Sequence, residues 1–272
     1  MNTKSLLPLA FLTALTGSAL ATSNTGCDQQ AIKCTSSRGD YYVRYTYVSG
    51  AEACRTRLVA ETVGMQTYSA FGENGKPDLD RQSVAIQPEG IGNLAAGALA
   101  GGVTDPDPND KEYSLGSFTS AEPTGDICTI PTLSIAQQQL AEVVADEGDP
   151  DDEDDDVAPQ DAVLINYAWS NVRFYTTPQY PGTQFQANVT VGLNGEDCVY
   201  TALGLSPAVS CNDGNGNPDD NACKAEATPP DPNNPNLIPH PTGSGINPDI
   251  PVRCDPVLLH CVPVSTGFPF FR

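Results

Sequence analysis

The residues best suited to chemistry lie between two cysteines, in Cys211-Asn-Asp-Gly-Asn-Gly-Asn-Pro-Asp-Asp-Asn-Ala-Cys223. Asp213, Asn215, Asn217 and Asp219 offer oxygens at alternate positions around glycines, as a flexible loop must to supply part of the roughly six to eight oxygen ligands of Ca²⁺. A bridge from Cys211 to Cys223 would close that loop and reduce the entropy lost on binding. The competing reading is a simple turn, because Asn and Asp bond their own backbone and Gly adopts positive φ.

No catalytic motif accompanies this loop. G-x-S-x-G, H-E-x-x-H and G-x-x-x-x-G-K-[ST], which fix a nucleophile, a zinc ion or a phosphate by local geometry, do not occur. His240 stands between two prolines and His260 beside Cys261, which makes each a loop or packing residue more readily than a general base. Two carboxylates brought together by the fold would leave no sequence spacing to detect. A carboxylate-dependent hydrolase outside the cytoplasm therefore stands as the enzymatic alternative to a non-enzymatic structural or binding protein, and a weak calcium-binding surface protein as a third reading.

Nine cysteines occur in the chain. Cys34, Cys54, Cys128, Cys198, Cys211, Cys223, Cys254 and Cys261 read as disulfide partners in an oxidising compartment, with connectivity left open. Cys254 and Cys261 pin the chain end back onto the domain or onto each other. Cys27 is the odd one: it is either acylated, following the small residues Thr25-Gly26, or a free or intermolecularly paired thiol.

Strand-forming sequence must position these groups. Tyr41 to Val48 is a run of aromatic and β-branched residues closed by Ser49-Gly50, and residues 54–71 and 83–87 read as further strands around a turn at 72–77. Thr183 to Leu193 alternates, with Phe185, Ala187, Val189, Val191 and Leu193 on one face. Asn194-Gly195 then favours a tight hairpin into Cys198 to Leu205, whose Val199, Thr201, Leu203 and Leu205 share a side. Residues 162–175 supply another strand. Two helices are considered. Residues 94–102 are small and glycine-rich, reading as a short helix or close-packed loop. The spacing of Ile135, Ala136, Leu140, Val143 and Val144 after Thr132 or Ser134 predicts a capped amphipathic helix.

Charge and termini set the compartment. The 272 residues carry a formal net charge of −21, which repels phosphate backbones and excludes a nucleic-acid partner. Lys4, an apolar run from Leu6 to Leu20 and Ala19-Leu20-Ala21 form a secretory signal with a cleavage site. The mature chain is then expected outside the cytoplasmic membrane, secreted or held at a bacterial envelope by a lipid anchor on Cys27, with no transmembrane helix. Its partner would be a protein or envelope ligand of unknown identity.

Gly26-Cys27-Asp28, Lys33-Cys34-Thr35, the strand from Tyr41, Tyr167-Ala-Trp-Ser-Asn-Val-Arg173 and Gly243-Ser-Gly-Ile-Asn-Pro248 together resemble uncharacterised cysteine-containing, lipoprotein-like envelope proteins of myxobacterial type. That resemblance implies a lipobox-like cysteine, and Asn24 stands where the lipobox has an aliphatic residue. Residues 211–223 resemble the Asp/Asn-Gly loops of extracellular calcium-binding repeats, departing from the EF-hand pattern at Pro218 and Lys224. The fold expected is all-β or mainly β, with a sandwich-like antiparallel core, one short helix and long disordered acidic and Pro-rich loops. Its parts would be a signal peptide at 1–21, a β-rich part at 22–145, an acidic linker at 146–160, a hairpin-containing part at 161–223, and a Pro/Asn-rich arm with a disulfide-tied tail at 224–272.

Overall fold

The computed structural model describes residues 31–35, 37–100, 107, 109–142, 161–230, 232 and 238–271. The signal segment, Cys27, the acidic linker and residues 231 and 233–237 of the arm lie outside the described residues. Residues 32–272 make one compact unit.

Aromatic and β-branched residues at alternate positions build long antiparallel strands. They are β1 (Gly39–Ser49), β2 (Ala60–Phe71), β3 (Pro77–Pro88), β4 (Ser114–Ser117), β5 (Ile127–Thr132), β6 (Ala136–Leu140), β7 (Val163–Thr176), β8 (Pro181–Leu193) and β9 (Glu196–Leu205). All belong to one sheet of order β4-β3-β2-β1-β9-β8-β7-β5, and β6 also pairs with β7. The mainly β, antiparallel expectation holds, and the two facing layers are halves of a single curled sheet. Its ends meet where Thr119 N donates to Thr129 O (2.9 Å) and Ser134 N donates to Leu115 O (2.9 Å).

Curling turns every inner face toward one core. Phe185, Ala187, Val189 and Val191 are buried there, as the alternation predicts, facing Tyr41, Val43, Tyr45, Val63, Ile86, Trp169 and Phe174. Tyr41 and Phe185 meet edge to face at 5.5 Å, and Phe118, just past β4, reaches Phe174 of β7 at 6.0 Å, packing that closes the roll with directional aromatic contacts. Asn194 and Gly195 take φ of 51° and 83° in the β8–β9 hairpin turn, as Asn-Gly pairs do in tight hairpins.

Two segments differ from expectation, and a third takes one of its two expected forms. Residues 54–57 form a short helix, α1 (Cys54–Arg57), before β2 begins. The amphipathic helix expected after Thr132 is instead the strand β6: Ala136, Gln138 and Leu140 point inward with period two, and Ile135 is 56% exposed. Here β7 needs a hydrogen-bonding neighbour, and tertiary pairing overrides the helical propensity of Ala and Gln. The glycine-rich stretch, conversely, belongs to a real helix, α2 (Glu89–Ala100), because Ile91 is fully buried against the core and anchors it over the roll.

The face of β9 bearing Val199, Thr201, Leu203 and Leu205 is the outer one, yet Leu203 and Leu205 are buried. They pack with Ile246, Ile250, Phe268 and Phe271, so the described end of the arm is docked on the sheet rather than extended over the surface. A two-stranded ribbon, β10 (Val252–Cys254) with β11 (Cys261–Pro263), completes this second cluster. No helix among the described residues is long and apolar enough to cross a membrane.

Candidate functional site

Residues 211–219 form a small hairpin, closed by Asp219 N to Cys211 O (2.8 Å) and Asp213 N to Asn217 O (3.0 Å). Gly214 and Gly216, at φ of 85° and 87°, make its tip. The Asp213 carboxylate accepts from the Asn215 and Asn217 backbone N–H groups (2.7 and 2.9 Å) and from Asn217 Nδ2 (2.9 Å). The Asn217 and Asn215 donors hold its pKa down to about 2. Asp219 faces other donors, Asn221 N and His240 Nε2, each at 2.9 Å. Burial pushes Asp219 up, but these bonds outweigh it and hold the carboxyl below the usual aspartate value. The loop thus brings Asp213 and Asn217 together, leaves Asn215 exposed, and directs Asp219 at a histidine.

Its flanking cysteines pair elsewhere, Cys211 with Cys254 and Cys223 with Cys261. Sulfurs of Cys211, Cys223 and Cys261 lie within 4.8 Å of one another, as halves of these two bridges rather than as thiolate ligands. Cys34–Cys128 and Cys54–Cys198 complete the set, so the eight predicted cysteines form four disulfides. His260 stacks on Tyr42 with ring centroids 4.1 Å apart, a packing role that fixes the ribbon to β1.

Glu61 is held by donors from two strands and a helix. Tyr45 donates to Oε1 (2.8 Å), and Gly90 N, in the first turn of α2, donates to Oε2 (2.9 Å). A Cβ at position 90 would approach Glu61 Oε2 and Tyr167 Oη at 3.3 Å, so glycine permits this close seat. Burial raises the Glu61 pKa above the ordinary glutamate value, against the hydrogen bonds from Gly90, Tyr45 and Tyr167 that favour the carboxylate. Its partners are structural donors holding α2 on the roll, and it does not line the groove described next.

That groove lies on the outer face of β2–β4, the half of the sheet that the C-terminal segment leaves bare. It encloses about 760 Å³. Cross-strand rows build its floor: Asp40, Gly64 and Gln87 in one, and Gln66, Ala85 and Leu115 in the next, with Tyr68 opposite Ser83 beyond. Gly64, Ala70 and Ala85 keep the floor low, and Tyr68, Tyr113 and Leu115, 53%, 41% and 46% exposed, stand up from it. Among the described residues, Asp40 is the only charged side chain of the lining. A smaller recess of about 320 Å³ continues past Asp40 to Glu89 and Asn93. Sequence reading passed over these residues because a groove is made by what is absent above a strand. The signal available was the alternation of Gly64, Gln66 and Tyr68 with Val63, Met65 and Thr67, which puts an exposed aromatic among small and polar outer residues.

A single curled antiparallel sheet, stapled by disulfides and grooved on its bare face, defines a disulfide-braced, mainly β protein. Residues 39–207 match the MlpA family, and the chain belongs to that family. The match runs from β1 through β9 and stops before the 211–223 loop, so it covers the curled sheet and not the docked tail. A Myxococcus xanthus relative named "Putative lipoprotein MlpA" is 24% identical over 284 residues, spanning 99% of this chain and all of the relative. The resemblance to myxobacterial lipoprotein-like proteins is borne out. No solved structure matches.

Proposed function

We propose that this protein is a non-enzymatic binding protein held on the outside of a bacterial envelope by an acyl group on Cys27, and that its groove takes an uncharged, hydroxyl-rich chain, that is, a saccharide. The observation that carries this reading is the bare outer face of β2–β4 with its low floor and upright tyrosines. Exposed apolar patches of this kind mark interaction sites. Tyrosyl rings give a flat apolar surface with a polar handle, and Gln66, Gln87, Ser69 and Ser83 supply donors and acceptors beside them. Among the described residues no Lys or Arg lines the groove, and Asp40 does, a balance that favours an uncharged ligand over an anionic one.

Three things support the anchor: Cys27 is the one cysteine left over once eight have paired, it follows Thr25-Gly26, and the relative's name describes a lipoprotein. Intact mass of the native protein reads acylation directly, and Cys27→Ala should release the chain from the membrane fraction.

The groove is tested by binding of the mature chain to immobilised envelope polysaccharide and to peptidoglycan, wild type against Gly64→Ile. A Cβ at Gly64 meets nothing closer than 3.8 Å, so a branched side chain fills the floor without disturbing the strand. The expected result is at least a tenfold loss of affinity, about 1.4 kcal/mol, with unchanged melting. No binding by the wild type, or equal binding by both, rejects the reading. Release of shortened saccharide, abolished by Asp40→Asn, would replace binding with hydrolysis.

A further inference from the structure

We propose that the β2–β3 hairpin tip is a membrane-contacting element that seats the domain on the lipid surface; this rests on the acylated Cys27 proposed above. At the tip, Phe71 is 85% exposed and Leu79 41%, and residues 73–77 are all exposed. Phe71 pairs with Pro77 where the strands turn back, so it stands at the end of the β2–β3 hairpin.

The chain ties this tip to the proposed anchor through a short span of sequence. Lys33 Nζ bonds to Asp80 Oδ1 at 3.0 Å, and Asp80 lies three residues from Pro77. Six residues separate Cys27 from Lys33, a reach of about 20 Å when fully extended. An acyl chain on Cys27 therefore holds the β3 side of the tip close to the bilayer. The far ribbon is elsewhere: His260 stacks on Tyr42, which pairs with Thr62, nine residues along β2 from Phe71, or about 30 Å.

Charge at the tip is nearly balanced, with three cations facing four carboxylates. The chain carries −21 overall, which an anionic headgroup layer repels. Here, however, Arg81 pairs with Asp78 (2.6 Å) and Lys33 with both Asp80 and Glu122 (3.0 Å each), while Glu73 is offset by Lys76. One phenylalanine and one leucine bind membranes weakly alone, but tethering makes their insertion an intramolecular step.

The test is the full acylated chain reconstituted in phosphatidylethanolamine–phosphatidylglycerol vesicles, with Phe71→Trp compared against Val257→Trp, a site also 85% exposed but in the distant ribbon turn. The native Trp169 is 2% exposed and gives a constant background. The expected result is a blue shift of the Phe71→Trp emission on reconstitution and its quenching when the acyl chains are brominated, with neither at Val257→Trp. Acylated, vesicle-bound protein whose position 71 is not quenched overturns the proposal and leaves the anchor standing. Native protein whose mass lacks an acyl group removes the anchor and the proposal together. A blue shift at position 71 without vesicles, accompanied by dimeric sedimentation, assigns the tip to a second copy of the chain and overturns the lipid contact.

Discussion

Glu61 shows how one side chain couples protonation to architecture. Glu61→Ala leaves the Gly90 N–H and two tyrosyl hydroxyls without their acceptor and should cost about 2–3 kcal/mol in urea unfolding, mostly the penalty of stranding the hydroxyls of buried Tyr45 and Tyr167. Glu61→Gln keeps an acceptor for Gly90 and should cost less. The pH dependence has a definite sign: the folded pKa is raised above the unfolded value, so the folded state binds the proton more tightly. Its stabilising contribution is present below the ordinary glutamate pKa and lost as pH rises through the raised one, and Glu61→Gln should flatten that part of the profile. Asp213 behaves oppositely. Its folded pKa of about 2 lies below the ordinary aspartate value, so its brace is present above that value and is lost as pH falls toward 2. Binding calcium at this loop would mean sharing the Asp213 oxygens with three N–H donors. The calcium proposal demands a rise in Tm with calcium over magnesium that Asp213→Ala removes; equal melting in the two ions reduces the loop to a turn.

Gly204 belongs to the packing of strands. It lies opposite Phe185, and a Cβ there would sit 2.0 Å from the ring, so the aromatic covers the glycine and fixes the β8–β9 register. Gly204→Ala should cost about 1–3 kcal/mol by overpacking, read as a lower urea midpoint at unchanged slope. Alternation made β8 legible in sequence because one face is wholly core. It failed to place β6, where Ala136 and Leu140 satisfy helical and extended periods alike and only the demand of β7 for a neighbour decides between them. The outer face of β9 was legible as a set but not as buried, since nothing in Leu203 or Leu205 announces that Ile246 and Ile250 return to cover them. At the site, cysteine parity pointed to a disulfide framework, while the groove depended on which half of the sheet the tail covers, a property of three-dimensional order alone.

The whole molecule is a curled sheet with a tail bolted to its outside. Two of its four bridges, Cys211–Cys254 and Cys223–Cys261, lie entirely within the tail region, whereas Cys34–Cys128 and Cys54–Cys198 span the sheet. Removing the two tail bridges by Cys→Ser should therefore open residues 224–271 to protease while the sheet keeps a cooperative melt. Removing the Cys54–Cys198 bridge, which closes a 144-residue separation, should lower global stability by about 2–5 kcal/mol. The placement of β1 between β2 and β9 carries a temporal consequence. Tyr42 pairs with Thr62 on one side and with Leu205 on the other. A chain leaving a ribosome or a translocon N-terminus first can form the β1–β4 meander early, but that meander keeps one edge of β1 unpaired until residue 205 arrives. Non-local pairing of this span is slow and leaves an exposed strand edge in the interval. The nascent chain is thus kept from finishing its fold until about three-quarters of it has emerged, and it is most in need of a holding chaperone during that wait.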